Sequence, residues 1–355
     1  MKRIRIGIVG CGAITEDAHL PAALASHQVE LAVLSDSNGT RLNSLARAFN
    51  STVRCCADYR EVFDLVDAVI LALPNHLHGP VGCDFLQRGI HVLCEKPLAT
   101  SVAVCEQMCK EARATQAVLA VGYVTRFYPS TELTKALIRE EFLGRIESLD
   151  YEFGTAGGWA PVSGYNISRE TSGGGVLAVS GSHFIDRMLY FFSKPQILSY
   201  ADDSRGGVEA NCLANFELED DRIRFPAKVT LSKTHQLDNR LRIVGERGSL
   251  VVNEGQKHSV MYMPSGGGPR HEIHSADLSP PSVKEHYWQV QLEDFVSAIR
   301  TCGVPRVDGE AGLASVRLIE ECYLRAVPLA EPWVDATVDR ITAVISRSAS
   351  VASAS

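Results

Sequence analysis

The sequence predicts an α/β domain with a doubly wound parallel sheet, followed by an α+β domain with a mainly antiparallel, open sheet. The chain has 355 residues, which exceeds the size at which a single hydrophobic core keeps growing. Apolar runs alternate with helical segments up to residue 122, whereas strand-like segments joined by short turns follow later. We therefore expect domains at residues 1–122 and 123–340, and a frayed, Ser- and Ala-rich tail at 341–355.

Short apolar runs predict five buried strands in the first domain. They occupy residues 4–9, 30–34, 68–73, 91–94 and 118–121. Helices are predicted at 40–49 and 101–115, because apolar residues recur there at the three- and four-residue spacing of one helix face. This alternation of strands and helices is typical of a parallel sheet that is covered on both faces.

The second domain begins with a predicted helix and a glycine-rich loop. Helices are expected at 130–140, 180–192, 288–299 and 309–325, and the loop at 154–175. Four strands are predicted at 214–218, 223–231, 241–244 and 249–252. Short turns at 219–221 and 245–248 separate successive strands, which indicates hairpins and therefore antiparallel pairing.

Composition and charge exclude several classes of protein. The net charge is −7 and no long basic block is present, so nucleic acid is not an expected partner. The apolar stretches are too short to span a bilayer, and Arg5 interrupts the signal-like segment at 1–9. The ten cysteines are spread over a long chain and none forms a C-x-x-C pair, so they indicate neither a disulfide scaffold nor a zinc finger. We expect a soluble, cytoplasmic protein.

A glycine-containing segment at 10–15 directly follows the first predicted strand and begins a helix. Glycine permits a tight turn and a close backbone approach there, and the amides at the helix start would face a pyrophosphate. This context predicts a Rossmann dinucleotide site that includes Gly10, Gly12, Ala13 and Ile14. Thr15 stands where a third small residue is usual, so we expect the helix to lie slightly farther from the sheet.

Asp36 follows the second predicted strand, where a carboxylate can accept hydrogen bonds from both ribose hydroxyls. The same negative charge would repel a 2′-phosphate, so Asp36 favours NAD as the cofactor. NADP remains open, because Ser35, Ser37 and Arg41 would surround a 2′-phosphate if Asp36 turned away.

Two further motifs, at 73–76 and 94–97, lie at the carboxyl edge of the same predicted sheet, where open α/β sheets bind ligands. With three other segments they resemble the family of glucose-fructose oxidoreductases, inositol dehydrogenases and rhizopine-catabolism proteins (Gfo/Idh/MocA). The segments that carry the resemblance are 7–14, 73–78, 91–98, 173–175 and 181–186, so it covers nearly the whole chain. The Glu95-Lys96-Pro97 element in this position is specific.

The resemblance implies an NAD(P)-dependent dehydrogenase or ketoreductase that acts on CH–OH groups of a sugar- or cyclitol-like substrate. Lys96 would lie beside the nicotinamide and bind the reacting oxygen, and Pro97 would follow a cis peptide bond. His183 would be the acid or base, since imidazole has a pKa near neutrality. The cofactor pocket would also include Pro74, Asn75, His78 and Glu95.

Substrate contacts are expected near His183, which without the resemblance would be interpreted as a hydrogen-bonded interior histidine. Asp186 lies three positions later on a predicted helix, where it would accept a substrate hydroxyl or orient the imidazole. A plain helix-surface carboxylate is the alternative for Asp186. Tyr165, Asn166 and Arg126 lie in or before the glycine-rich loop and would contact hydroxyls.

Two residue pairs have spacings that metal ligands also use. Cys105 and Cys109 lie one helical turn apart, but without nearby histidines they are interpreted as packing residues. His76 and His78 follow a strand near the cofactor, where shaping the nicotinamide pocket is favoured over zinc binding. No bound metal is expected, since hydride chemistry gets its reactivity from the cofactor.

Val179 departs from the pattern of inositol dehydrogenase-like members, which carry Asp four residues before this histidine. Losing that carboxylate should leave Lys96 against a more apolar wall and lower the lysine pKa. It also keeps two other functions open, a redox-neutral NAD-using epimerase or lyase and a non-catalytic Rossmann sensor. In the leading interpretation the partners are a polyol or keto-sugar substrate and further copies of the chain, as a homodimer or homotetramer.

Overall fold

The first part of the chain forms a six-stranded parallel sheet. The computed structural model describes residues 2–49, 53–157, 164–192, 195–220, 223–275 and 286–330. The strands are β1 (Ile4–Val9), β2 (Val29–Ser35), β3 (Arg54–Cys56), β4 (Ala68–Leu71), β5 (His91–Cys94) and β6 (Leu119–Val121). The strand order is β3-β2-β1-β4-β5-β6, so the chain extends the sheet on one side of β1 up to β3 and on the other side from β4 onward. Doubly wound sheets bind ligands at such a switch point. The predicted doubly wound parallel sheet is confirmed.

Helices cover both faces of this sheet. They are α1 (Leu20–Ala25), α2 (Gly39–Ala48), α3 (Asn75–Leu86) and α4 (Val102–Thr115), with a 3-10 helix at Tyr59–Leu65. The sequence analysis did not predict α3, which contains Gly79, Pro80 and Gly82 and therefore has a weak helical signal. A Cβ atom at Gly79 would meet the Val104 side chain at 2.2 Å, so glycine allows α3 and α4 to pack closely.

Within the described residues, the second sheet has nine strands. They are β7 (Ile146–Gly154), β8 (Gln196–Asp202), β9 (Asn211–Asp220), β10 (Ile223–Ser232), β11 (Arg240–Gly245), β12 (Gly248–Asn253), β13 (Ser259–Pro264), β14 (His271–His274) and β15 (Ala326–Pro328). The order is β14-β13-β12-β11-β7-β10-β9-β8-β15, and only the β7–β10 and β8–β15 pairs are parallel. The mainly antiparallel sheet is confirmed, although five of its strands were not predicted.

The remaining helices join the two sheets. They are α5 (Pro129–Arg139), α6 (Arg169–Ser172), α7 (Ser182–Phe191), α8 (His286–Thr301) and α9 (Gly309–Leu324). Phe295 of α8 packs with Ile6 and Ile8 of β1, and Val316 of α9 belongs to the core beneath the other face of the first sheet. The late helices therefore complete the first core, and the division at residue 122 stays a proposal.

Some expectations concern residues outside the described ranges. The tail at 341–355 and Asp221 of the predicted hairpin turn are among them. Cys105 and Cys109 are buried in the core between α4 and the sheet, as packing residues would be. No described helix is long and apolar enough to cross a membrane.

Candidate active site

The loop after β1 has the geometry that a dinucleotide pyrophosphate requires. Gly10 has φ +101°, and a Cβ atom there would lie 2.2 Å from the Ala72 carbonyl oxygen, so this turn needs glycine. A Cβ at Gly12 would meet no atom within 4 Å, and Gly12 and Ala13 are exposed, whereas Ile14 is half-buried. The loop therefore turns tightly against β4 and leaves its outer side open to a ligand.

Thr15 is enclosed in the first helical turn, and the expected displacement of the helix from the sheet stays a prediction. Its hydroxyl donates to the Gly10 carbonyl oxygen at 2.6 Å and the residue is fully buried. It begins a π-helical turn, Thr15–His19, that continues directly into α1. The polar, β-branched side chain is thus held by a hydrogen bond inside a wider helical turn.

Asp36 lies immediately after β2 and ties that strand to the glycine loop. Its Oδ2 accepts from the backbone amide of Cys11, and its Oδ1 accepts from that of Asn38, both at 2.7 Å. Arg41, which the NADP alternative invokes, donates to the Cys11 carbonyl oxygen at 2.6 Å and pairs with Glu16. The loop, the carboxylate and the open surface at Gly12 together fit a bound dinucleotide.

Lys96 follows β5, and its peptide bond to Pro97 is cis, as the resemblance implied. Its ammonium Nζ donates to the backbone carbonyl oxygen of Val179 at 2.9 Å. Burial lowers the pKa of Lys96, and the Glu95 charge only partly opposes this. Burial thus shifts this pKa in the expected direction, and the hydrogen-bond partner of the ammonium is a backbone carbonyl oxygen.

Val179 belongs to a second π-helical turn, Leu177–Gly181, which leads into α7. Its carbonyl accepts the hydrogen bond from Lys96. π-Helical turns interrupt the regular hydrogen-bond ladder and occur frequently at functional sites. This turn brings Lys96 of the first domain against the helix that carries His183.

His183 lies in the first turn of α7 and is half-buried. Its Nδ1 is buried and has no hydrogen-bond partner within the described ranges, and its ring meets Tyr123 edge to face at 6.0 Å. Burial, with the positive charges of Lys96 and Arg187, holds the pKa of His183 well below the ordinary value. The lowered pKa favours the neutral imidazole, in which the unpartnered Nδ1 atom is the candidate proton acceptor.

Asp186 and Arg126 form a buried ion pair. The Arg126 Nη2 and Nε atoms donate to the two carboxylate oxygens at 2.7 and 2.8 Å, and the side chains are 9% and 0% exposed for Arg126 and Asp186 respectively. The expected contacts of both side chains with substrate hydroxyls, and the orienting of His183 by Asp186, stay predictions beside this ion pair. Both groups are enclosed between α7, α9 and the segment after β6, where each satisfies the other's charge.

Glu95 and His78 make buried intramolecular contacts, and their predicted cofactor contacts stay predictions. Glu95 is buried and its Oε1 lies 2.8 Å from His19 Nε2. The ring nitrogens of His78 lie 2.9 Å from the Pro97 carbonyl oxygen and 2.8 Å from that of Leu73, and the residue is fully buried. The two side chains thus connect the loops after β4 and β5 to neighbouring elements on the buried side of the cofactor edge.

Asn75 joins α3 to the glycine-rich segment, and Tyr165 and Asn166 lie in that segment. The Asn75 amide donates to the Ser172 carbonyl oxygen at 2.8 Å, and Pro74 precedes it at the start of α3. Tyr165 and Asn166 are half-buried and their side chains hydrogen-bond each other, with Tyr165 close enough to Glu95 to feel its charge. The Asn166 Oδ1 atom is buried and has no protein partner within the described residues, so it remains a candidate for a substrate hydroxyl.

His76 is exposed, and its Nδ1 lies 3.3 Å from the Thr171 carbonyl oxygen. His78 faces carbonyl oxygens, so the two histidines do not converge on one point. Among the described residues, no three His, Cys, Asp or Glu side chains are arranged to hold a metal ion.

Sequence reasoning missed three residues of this region. His19 reaches Glu95 from the first π-helical turn. Glu209 accepts from the backbone amides of Gly175 and Leu177 at 2.8 and 2.9 Å, which anchors the glycine segment. Lys233 follows β10, and burial together with the nearby charge of Lys96 lowers its pKa. The position of Lys233 directly after a predicted strand was a sequence signal that could have identified it as a site residue. The sequence contained no comparable signal for His19 or Glu209.

Family models match both parts of the chain. The model described as an oxidoreductase family with an NAD-binding Rossmann fold matches residues 4–123. The model of the same family's C-terminal alpha/beta domain matches residues 135–328.

Individual proteins show the same relationship. The chain is 30% identical to the rhizopine catabolism protein MocA of Rhizobium meliloti over 53% of its own length and 57% of that protein's length. It is 26% identical to D-xylose 1-dehydrogenase (NADP(+)) 2 of Haloferax volcanii over 89% of the chain and 95% of that protein. The fold is similar to that of aldose-aldose oxidoreductase from Caulobacter crescentus, with TM-score 0.80, 23% identity, and coverage of 91% and 97% of the two chains. The chain belongs to the Gfo/Idh/MocA oxidoreductase family, with an NAD-binding Rossmann domain and the family's C-terminal alpha/beta domain.

Proposed function

We propose that the protein is an NAD(P)-dependent dehydrogenase or ketoreductase that transfers a hydride between nicotinamide and a carbinol or ketone of a sugar- or cyclitol-like substrate. The observation that carries this proposal is the pairing of Lys96 with a neutral, unpartnered His183 at the cofactor edge of the sheet. One side chain supplies a hydrogen-bond donor with a lowered pKa and the other a proton acceptor, which is what carbinol oxidation needs.

When bound, the nicotinamide accepts or donates the hydride. Lys96 would donate a hydrogen bond to the substrate oxygen that becomes the carbonyl, in place of its present bond to Val179. His183 would take the hydroxyl proton as the hydride leaves carbon, and would return it in the reduction direction. Tyr165 and Asn166 would contact neighbouring hydroxyls, with the Asn166 Oδ1 atom as an acceptor.

A polyhydroxylated substrate is supported by the names of two similar proteins, a D-xylose dehydrogenase and an aldose-aldose oxidoreductase. The test is a panel of aldoses, keto-sugars and inositols, each with NAD and with NADP, followed at the absorbance of reduced nicotinamide. We expect turnover of at least one sugar or cyclitol. Dinucleotide binding without turnover of any panel member would contradict the proposal and favour the sensor interpretation.

Val179 supports a second candidate, in which tightly held NAD oxidises a carbinol transiently and the hydride is then returned. The missing carboxylate changes how the proton is handled at Lys96, which is compatible with epimerisation or elimination. In that case product would accumulate while the absorbance of reduced nicotinamide stays constant at steady state. Chromatography of the same reactions distinguishes the two functions.

Asp36 should set a preference for NAD, because its carboxylate can bind the ribose diol and repels a 2′-phosphate. Replacing Asp36 with Ser is expected to lower the NAD-to-NADP ratio of kcat/KM by about tenfold or more. The matched control is Asp17→Ser, which removes an exposed carboxylate from the adjacent helical turn. An unmodified protein that already favours NADP would show that Asp36 does not have this role.

Val179→Asp should restore an acidic partner for Lys96 and raise the lysine pKa. Because activity needs the protonated lysine below that pKa, the alkaline limb of kcat/KM should move upward by about one pH unit. Val179→Asn is the control, since it has nearly the same shape without the charge. A folded Val179→Asp variant with the parental pH profile would refute this coupling.

We further propose that the protein acts in the cytoplasm as a homodimer or homotetramer. The ten unpaired cysteines support a reducing compartment. Light scattering coupled to size-exclusion chromatography tests the assembly, and a monomeric mass would contradict it. Cell fractionation tests the location.

A further inference from the structure

A buried contact joins the first helix of the dinucleotide domain to the loop that carries Lys96. His19 ends the π-helical turn Thr15–His19, and its Nε2 lies 2.8 Å from Glu95 Oε1. The two side chains are only 3% and 10% exposed. The two residues are 76 positions apart in the sequence, so this contact exists only in the folded domain.

The Glu95 carboxylate is held on its other sides as well. Its Oε2 accepts from the backbone amide of Lys96 at 3.1 Å. A Cβ atom at Gly122, the residue after β6, would lie 2.9 Å from Glu95 Oε1 and 3.0 Å from its Cδ. Because Gly122 has no side chain, the Glu95 carboxylate fills the space beside it. From this position the carboxylate faces His19.

We propose that His19 and Glu95 form a buried positioning pair, which fixes the backbone at Lys96 and sets the charge that the Lys96 ammonium experiences. The inference rests on the proposed function only for the catalytic role of Lys96. Neither His19 nor Glu95 touches the reacting atoms in this scheme, and both act through the lysine.

The charges around the pair support this role. Burial raises the pKa of Glu95, but the hydrogen bond and charge of His19, together with the charge and backbone amide of Lys96, hold the pKa below its usual value. The groups that face Glu95 are His19, Lys96, His78, Tyr165 and Cys94.

The groups that face Lys96 are Glu95, His183 and Lys233, and Glu95 alone among them is acidic. An ionised Glu95 therefore raises the pKa of Lys96 against the effect of burial. Removing His19 should let Glu95 take up a proton, and Lys96 would then lose that support.

The primary experiment measures Lys96 directly, without requiring turnover. Lysines are labelled by reductive ¹³C-methylation of the full chain, and the Lys96 resonance is assigned by its loss in Lys96→Arg. We expect its titration midpoint to fall by at least about half a pH unit in His19→Leu and in Glu95→Gln. His19→Gln keeps a donor for Glu95, so its shift should be smaller.

The matched control is His91→Gln. His91 lies at the other end of β5, where its Nδ1 accepts from the Val118 amide, and it does not contact Glu95. An unchanged Lys96 midpoint in folded His19→Leu, or an equal shift in His91→Gln, would overturn the proposal. If His19→Leu fails to fold, an unshifted midpoint in folded Glu95→Gln overturns it in the same way.

Kinetics of the same variants separate positioning from binding. We expect kcat to fall about tenfold or more in His19→Leu, with partial rescue in His19→Gln, while the dinucleotide Kd stays within about threefold. If the parent turns over no substrate, the proposed function fails although the Lys96 shift can still be present. If the parent is active and the Lys96 midpoint does not move, only the positioning pair fails.

Discussion

Replacing Lys96 with Met is expected to reduce turnover by about 10²–10⁴-fold while dinucleotide binding survives. Methionine preserves much of the side-chain length but cannot donate to the substrate oxygen. The glycine loop and Asp36 lie on other elements, so they should be unaffected. The measurement combines steady-state kcat with dinucleotide Kd from quenching of protein fluorescence.

The matched control for this substitution is Lys135→Met. Lys135 is also a half-buried lysine, but its ammonium lies over the Tyr190 ring at 3.3 Å in the second domain. Activity within about twofold of the parent is expected for this control. Near-parental activity in Lys96→Met would refute the catalytic assignment of the lysine.

The pH dependence of kcat/KM should also depend on the protonation of Lys96. Burial lowers the pKa of Lys96, so the protonated form is lost at a lower pH than for an ordinary lysine. Activity that needs this proton is present below the lowered pKa and falls as the pH rises through it. The corresponding alkaline limb of kcat/KM should therefore be absent from the residual activity of Lys96→Met.

His183→Ala should have the second largest effect, a loss of about 10²–10³-fold in kcat for carbinol oxidation. The substitution removes the proton acceptor, and no other unpartnered imidazole lies beside Lys96 within the described ranges. His27→Ala is the control, because His27 is an exposed histidine between α1 and β2. Equal losses in both variants would show that the effect is not specific to His183.

The acid limb gives a separate test of His183. Its pKa is held well below the ordinary value by burial and by two neighbouring cations, Lys96 first. Oxidation requires the neutral imidazole, which exists above that lowered pKa, so activity should persist to a pH below the ordinary histidine range. An acid limb at the ordinary histidine pKa would contradict the neutral, proton-accepting state.

The structure explains which sequence expectations succeeded. The strand at His91–Cys94 was predicted to the residue, and Asp36 was placed at the end of β2. Both depend on local apolar patterning and on the constraints of a glycine turn, which act over a few residues. By contrast β7, the central strand that pairs with β10 and β11, mixes acidic residues with apolar ones and was missed.

Long-range pairing supplied the contacts that the sequence could not predict. Asp186 pairs with Arg126, 60 positions earlier in the chain. Glu95 contacts His19, 76 positions earlier. A buried charge must find a partner, and the identity of that partner depends on which elements the fold brings together.

The sequence by itself determined the dinucleotide domain, the cofactor edge and the family resemblance that identified Lys96 and His183. These depend on spacing along one strand, one turn or one helix, so they can be read without knowing the packing. Only the tertiary structure decided that Lys96 bonds the Val179 carbonyl, that burial and neighbouring cations lower the pKa of His183, and that Glu95 contacts His19. Burial and charge pairing arise between elements distant in sequence, and these interactions set the chemistry of each side chain.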